Sequence, residues 1–239
     1  MNKIFYLSLL LLLISGCGFV DTYFLPQSLD TAQELSEAGY EAMQEKNYGK
    51  AAKLYEKLKD RFPFSPYTAS AELSLADAYF LNKNYPMAAE AYKEFASLHP
   101  RDKNIPYVLF QTGMANFNQF ATIDLPQEHM DEALKSFHRV TQSYPDSPYA
   151  QKAQEHIHKC REHQARHEIF VADFYWRRKQ YKAAWSRYQA LAGAFDDFPE
   201  IASYARKRAQ VAYLRDLEQQ SRKTQEKEKG SWRQWFDWL

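Results

Sequence analysis

Tyr48-Gly49-Lys50-Ala51-Ala52-Lys53-Leu54-Tyr55 decides the fold of this chain, because its pattern comes back three times. It returns as Tyr85-Pro86-Met87-Ala88-Ala89-Glu90-Ala91-Tyr92, then as Met130-Asp131-Glu132-Ala133-Leu134-Lys135-Ser136-Phe137. The last copy is Tyr181-Lys182-Ala183-Ala184-Trp185-Ser186-Arg187-Tyr188. Each copy has a large residue, an Ala three positions later and an aromatic seven positions later. On an α-helix those positions share one face. The Ala lets a neighbouring helix approach closely, and the aromatic fills the space between the two.

Pro63, Pro100 and Pro145 stand twelve residues after the Ala of the first three copies. A Pro there ends the helix and redirects the chain. Twelve residues before the Ala stand Gly39, Ala76 and Ala172 in copies one, two and four. This small–Ala–Pro spacing resembles the tetratricopeptide repeat, and it runs without a gap through Gly39–Ala51–Pro63 and Ala76–Ala88–Pro100. In the third copy Gly113 lies further upstream of Ala133, which marks an insertion from Phe120 to Gln127. In the fourth, Asp196 takes the Pro position and Pro199 follows late. A coincidentally spaced helical bundle would not produce two gapless matches. The expected fold class is therefore all-α: a tetratricopeptide-repeat superhelix of antiparallel helix pairs, about 9–10 helices, with a concave groove.

No Gly or Pro occurs between Tyr149 and Ala192, so residues 149–179 read as one long helix of about 30 residues, roughly 45 Å. It is expected to brace the N-terminal pair of repeats against the C-terminal one. A further helix is expected from about Ile201 to Leu217, followed by a solvated polar run from Gln219 to Lys229. Asp30 or Thr31 is placed to cap the first helix.

The N-terminus carries a different signal. Lys3 precedes the apolar run Ile4–Ile14, about eleven residues long and well short of the roughly 20 a spanning helix needs. The run ends Leu13-Ile14-Ser15-Gly16-Cys17, which resembles the bacterial lipobox. That resemblance implies cleavage between Gly16 and Cys17, an S-diacylglycerol on Cys17 and an N-palmitoyl chain on its amine. Two or three acyl chains hold a protein on a membrane essentially permanently. Gly18 is not Asp, and the resemblance then implies sorting to the periplasmic face of the outer membrane. The expected organisation is a signal peptide over 1–16, a lipidated tether over 17–29, and repeats one to three over 30–146. The long helix and C-terminal repeats follow over 147–218, with a charged linker and Trp-rich tail over 219–239.

Composition excludes several functions. The 239 residues carry 31 Lys and Arg against 30 Asp and Glu, a balance that does not suit nucleic acid. Only 7 Gly and an aromatic content of 16% argue for an ordered chain. No phosphate loop, nucleophile elbow or zincin spacing is present, so no catalytic residue, metal or cofactor is expected beyond the lipid. His156, Cys160, His163 and His167 do fall on one stripe of the long helix. They spread over about 16 Å, too far for one ion to gather all four. Packing is the expected role of the stripe, and a metal-dependent enzyme the alternative.

After the first repeat comes Arg61-Phe62-Pro63-Phe64-Ser65-Pro66-Tyr67. Two prolines fix a rigid turn, and the aromatics either staple adjacent helices or form a lip of the groove. Tyr40, Tyr79, Phe80 and Tyr107 are further candidates for lining it, since Tyr and Phe offer large contact area at low entropic cost. The linker, the lipobox, Asn104-Ile105-Pro106-Tyr107-Val108 and the insertion before Ala133 together resemble the BamD family of outer-membrane lipoproteins, from about Ala32 to Tyr213. The resemblance implies a subunit of the β-barrel assembly machinery, or Bam complex. Its N-terminal repeats would receive unfolded outer-membrane proteins, and its C-terminal repeats would dock on the POTRA region of BamA beside other subunits. It also implies a docking role for Arg187. The second half of a fifth repeat, which the family carries, is not recognisable here. Another tetratricopeptide lipoprotein, such as a pilotin that escorts a secretin, is the alternative.

The resemblance does not reach the tail. Trp232, Trp235, Phe236 and Leu239 fall at i, i+3, i+4 and i+7 of one helical face. Such a face is expected either to fold back on the last helix or to meet a membrane interface or a partner's groove.

Overall fold

A computed structural model describes residues 31–229, and among them it shows nine α-helices and no strand. We number them α1 (Ala32–Gln44), α2 (Tyr48–Arg61), α3 (Thr68–Leu81), α4 (Tyr85–Leu98) and α5 (Ile105–Phe117). Then come α6 (Glu128–Ser143), α7 (Pro148–Arg177), α8 (Tyr181–Ala194) and α9 (Pro199–Lys229). Three of the four repeat segments open a helix, and the third begins two residues inside α6. The all-α reading and its helical hairpins are what the chain forms.

The helices start and stop by local chemistry. Thr31 closes a capping box: its hydroxyl accepts from the Glu34 N–H at 3.2 Å, and its own N–H donates to the Glu34 carboxylate at 3.1 Å. Asn47 and Ser147 cap α2 and α7, each with a side-chain oxygen that accepts from a first-turn N–H. The hairpin turns of repeats one, two and four are built alike. Lys46, Lys83 and Lys179 adopt left-handed backbone with φ of 59°, 60° and 57°. The next residue's N–H reaches back to close a Schellman turn, as in Asn47 to Ala42 O at 2.8 Å and Asn84 to Tyr79 O at 2.9 Å. Lys tolerates this φ at some cost, so the turn is held by the hairpin rather than by residue preference.

The described residues form two compact units that divide between Leu75 and Ala76, over 31–75 and 76–229. In the first, α1 packs on α2. Gly39 is required there, because a Cβ on it would lie 2.6 Å from the Tyr55 ring. In the second, Gly113 of α5 meets Phe137 of α6 in the same way, at 2.5 Å. The repeat alanines Ala51, Ala88, Ala133 and Ala184 are all fully buried, and so are Tyr92, Phe137 and Tyr188. The small residue, the Ala and the aromatic of the repeat pattern thus form one interlocking contact.

The 30-residue α7 belongs wholly to the second unit. Its first half lies on α5 and α6, where His156 stacks on Phe137. Its second half lies on α8 and α9 and supplies Ala165 and Ala172 to two apolar clusters. Arg161 ties it to the α8–α9 turn through two hydrogen bonds to Asp197, at 2.8 and 2.6 Å, and one to Ala194 O at 3.1 Å. The helix therefore joins the third repeat to the fourth.

One boundary differs from the expectation. α9 does not stop near Leu217 but continues through the polar run to Lys229. Glu, Lys, Gln and Arg are good helix formers, and nothing between Leu217 and Lys229 breaks the chain. Side-chain pairs spaced along the helix add support, Arg215 with Glu218 at 2.9 Å and Gln220 with Asp216 at 2.6 Å. A solvated polar run is compatible with helix, so it extends α9 rather than ending it.

Candidate functional site

The linker between α2 and α3 is a tied turn. Ser65 N–H donates to Phe62 O at 3.0 Å, and the Thr68 hydroxyl donates to the same carbonyl at 2.6 Å. The Arg61 guanidinium lies over the Phe62 ring, 5.4 Å from its centroid. This arrangement holds Phe64 outward with 99% of its surface exposed, and leaves Tyr67 37% exposed. Tyr40, next to the buried Gly39, is 62% exposed on α1. So in the first unit Tyr40, Phe64 and Tyr67 are available at the surface, while Phe62 is half-buried.

In the second unit the candidates fare differently. Tyr79 is buried, so its ring sits in the core rather than on an open face. Phe80 packs edge-on to Tyr85 with ring centroids 5.5 Å apart. Tyr107 is drawn into a cluster that pattern reading missed. Its hydroxyl and that of Tyr92 both donate to the same oxygen of Asp77, each at 2.6 Å. The Gln111 amide in turn donates to the Tyr107 oxygen at 3.1 Å. Burial holds the Asp77 carboxyl above its usual range, although both phenols oppose the shift. Burial and the Asp77 charge hold both phenols above the usual phenol range. Three helices thus meet on one carboxylate. The signal was present in Ala76-Asp77 and Ala172-Asp173, where an Asp follows the small residue in repeats two and four.

Arg187 on α8 forms an ion pair with Glu168 of α7 at 3.1 Å and lies over the Tyr175 ring at 5.9 Å. Both partners of the pair remain part-exposed. The two border a cleft of about 600 Å³ whose walls include Asp131, Gln164, Leu191 and Phe195. Gln164 donates to Asp131 across it at 2.6 Å. A polar mouth over an apolar floor of Leu191 and Phe195 suits a protein contact better than a reaction.

The His156–His167 stripe is a packing face. His156 meets Phe110, Phe117 and Phe137, and His163 meets Phe117 and Phe120. His167 Nδ1 bonds to the Ile123 carbonyl of the α5–α6 insertion. Burial pushes the Cys160 thiol up to about 12. Such a thiol stays protonated and inert. In the native protein at pH 8, Cys160 is expected to resist iodoacetamide and to label fully once unfolded. Peptide mass spectrometry reads this, and rapid native labelling would refute the burial. Among the described residues no group of three or more His, Cys, Asp and Glu is placed to hold a metal.

Gly16 and Cys17, and Trp232, Trp235, Phe236 and Leu239, lie outside the described residues. Among the described residues no helix is long and apolar enough to cross a membrane.

Comparison with known proteins places the chain. It is 30% identical over 210 residues to outer membrane protein assembly factor BamD of Neisseria meningitidis serogroup A, covering 82% of this chain and 79% of the relative. BamD of Vibrio cholerae is 28% identical over 166 residues, 65% of this chain and 69% of the relative. Among solved structures, the TPR2AB-domain:pHSP90 complex of yeast Sti1 overlays with a TM-score of 0.45 at 11% identity, covering 77% of this chain and 70% of that one. The family model described as YfiO, outer membrane lipoprotein, matches residues 29–228, and this chain belongs to that family.

Proposed function

We propose that the chain is a non-catalytic scaffold lipoprotein for outer membrane protein assembly. A lipid on Cys17 anchors it to the periplasmic face of the outer membrane. Its N-terminal repeats receive unfolded outer-membrane proteins. Its C-terminal repeats, at the Arg187 cleft, dock on the POTRA region of BamA. It needs no cofactor besides the lipid and does not engage nucleic acid. Family membership supports the assembly role, since the relatives are named assembly factors.

The observation that carries the receptor part is the Pro63–Pro66 turn, which holds Phe64 in full exposure at the end of a rigid helix pair. A large aromatic kept out of the core by a tied turn is a ready anchor for an extended chain. A double substitution, Phe64→Ala with Tyr67→Ala, is expected to weaken binding of a C-terminal outer-membrane-protein peptide about tenfold. Far-UV circular dichroism should stay unchanged, since neither ring is in the core. Fluorescence anisotropy with a labelled peptide reads the affinity; wild-type affinity in the double variant would refute the assignment.

A further inference from the structure

Repeats two and four build the same cluster, but they complete it differently. In repeat two, Asp77 accepts from Tyr92 and Tyr107, whose rings stand edge-on at 6.3 Å. In repeat four, at one constant sequence offset, Asp173 accepts from Tyr188 and, one residue further on, Tyr204, again edge-on at 6.3 Å. Even the aromatic wall is repeated: Phe80 against Tyr85 at 5.5 Å, and Trp176 against Tyr181 at 5.2 Å.

The difference is the last residue. In repeat four Arg208 enters the cluster, one helical turn after Tyr204. Its guanidinium lies 3.8 Å from Asp173, 4.4 Å over Trp176, and within 5.6 and 5.9 Å of the two tyrosine rings. This is a complete arginine site: a carboxylate, two phenol rings and an aromatic wall around one cation. In repeat two the matching position, one turn after Tyr107, is Gln111. Asp77 therefore keeps the acceptor, the rings and the wall, yet forms no ion pair among the described residues. A carboxylate held this way without a counter-charge carries the desolvation cost of an ion pair and lacks its gain.

We propose that the Asp77 cluster is a receptor for an arginine side chain of a bound, extended polypeptide, which takes the place that Arg208 fills in repeat four. The Gln111 amide stands in that place, held by its hydrogen bond to Tyr107, and the Tyr149 ring packs on Tyr107 at 5.6 Å, so an incoming guanidinium displaces the Gln111 side chain. The inference rests on the reading of the N-terminal repeats as a polypeptide receptor and adds to it a charge preference.

The test uses the full chain and an outer-membrane-protein C-terminal peptide with one arginine, beside a twin carrying citrulline, which keeps the shape and loses the charge. Wild type is expected to bind the arginine peptide about tenfold more tightly. Asp77→Asn should abolish that preference. So should Gln111→Arg, which fills the cluster from within as Arg208 does and keeps its packing. Equal affinity of wild type for the two peptides, or a preference that survives both substitutions, overturns the proposal. Binding of neither peptide refutes the receptor reading instead. The cluster is then judged alone with N-acetylarginine amide by NMR, where a shift of the Gln111 side-chain amide absent with the citrulline analogue supports it and no shift overturns it.

Discussion

Phe137→Ala is expected to destabilise the 76–229 unit by about 3–5 kcal/mol, the cost of deleting a fully buried aromatic from a core that cannot collapse around the gap. The ring is enclosed from three sides, by Gly113 of α5, by Phe110 and by His156 of α7. Its loss therefore loosens the third repeat and the long helix together. Gly113→Ala acts from the opposite side. The new Cβ meets the ring at 2.5 Å, so overpacking costs about 1–3 kcal/mol, less the roughly 1 kcal/mol that Ala gains over Gly inside a helix. The two sites share one volume. The double variant should thus be less destabilised than the sum of the singles, because the added methyl enters space the ring vacated. Urea unfolding followed by far-UV circular dichroism measures all three. Strict additivity would show that Gly113 and Phe137 do not interlock.

Tyr188→Ala should cost a similar amount, about 3–5 kcal/mol, for a different combination of reasons. The ring is fully buried among Ala172, Ala184, Ala209 and Ala212, and its hydroxyl donates to Asp173 while accepting from Arg208 at 3.4 Å. Removing it opens a cavity and also strips a hydrogen bond from a carboxylate only a quarter exposed. Tyr188→Phe separates the two effects. It keeps the ring and loses the hydroxyl, and about 1.5 kcal/mol is expected, because Tyr204 still donates to Asp173 and Arg208 still faces it. The same denaturation series reads both variants. A Phe variant as damaged as the Ala variant would place the stabilisation in the hydroxyl rather than in the packing.

These two residues also mark how far the sequence could be read. The large–Ala–aromatic spacing is a helical-face pattern, so it specifies which residues turn inward without reference to any other part of the chain. For that reason Ala133, Phe137, Ala184 and Tyr188 were legible as core, as was the long unbroken α7. The Arg61–Tyr67 turn was legible too, because two prolines constrain the backbone locally. The end of α9 was not. Its last turns are wholly polar, and polarity reports solvation rather than backbone state.

The candidate site was legible only in part, and the division follows the range of the interactions. Phe64 and Tyr67 could be named because a rigid local turn exposes them. Residue type alone singles out Tyr79 and Tyr107, and tertiary packing buries the first and commits the second to Asp77. Neither Asp77 nor Arg208 announces itself in one helix. Each acquires its role where three helices converge on a carboxylate, through contacts between residues up to 35 positions apart in sequence, from Asp173 to Arg208. The helices, the hairpins and the inward faces follow from periodicity and local breaks along the chain. Which polar groups meet follows from how the helices pack. A hydrogen bond or ion pair needs its partners within a few ångströms, and packing alone sets that distance.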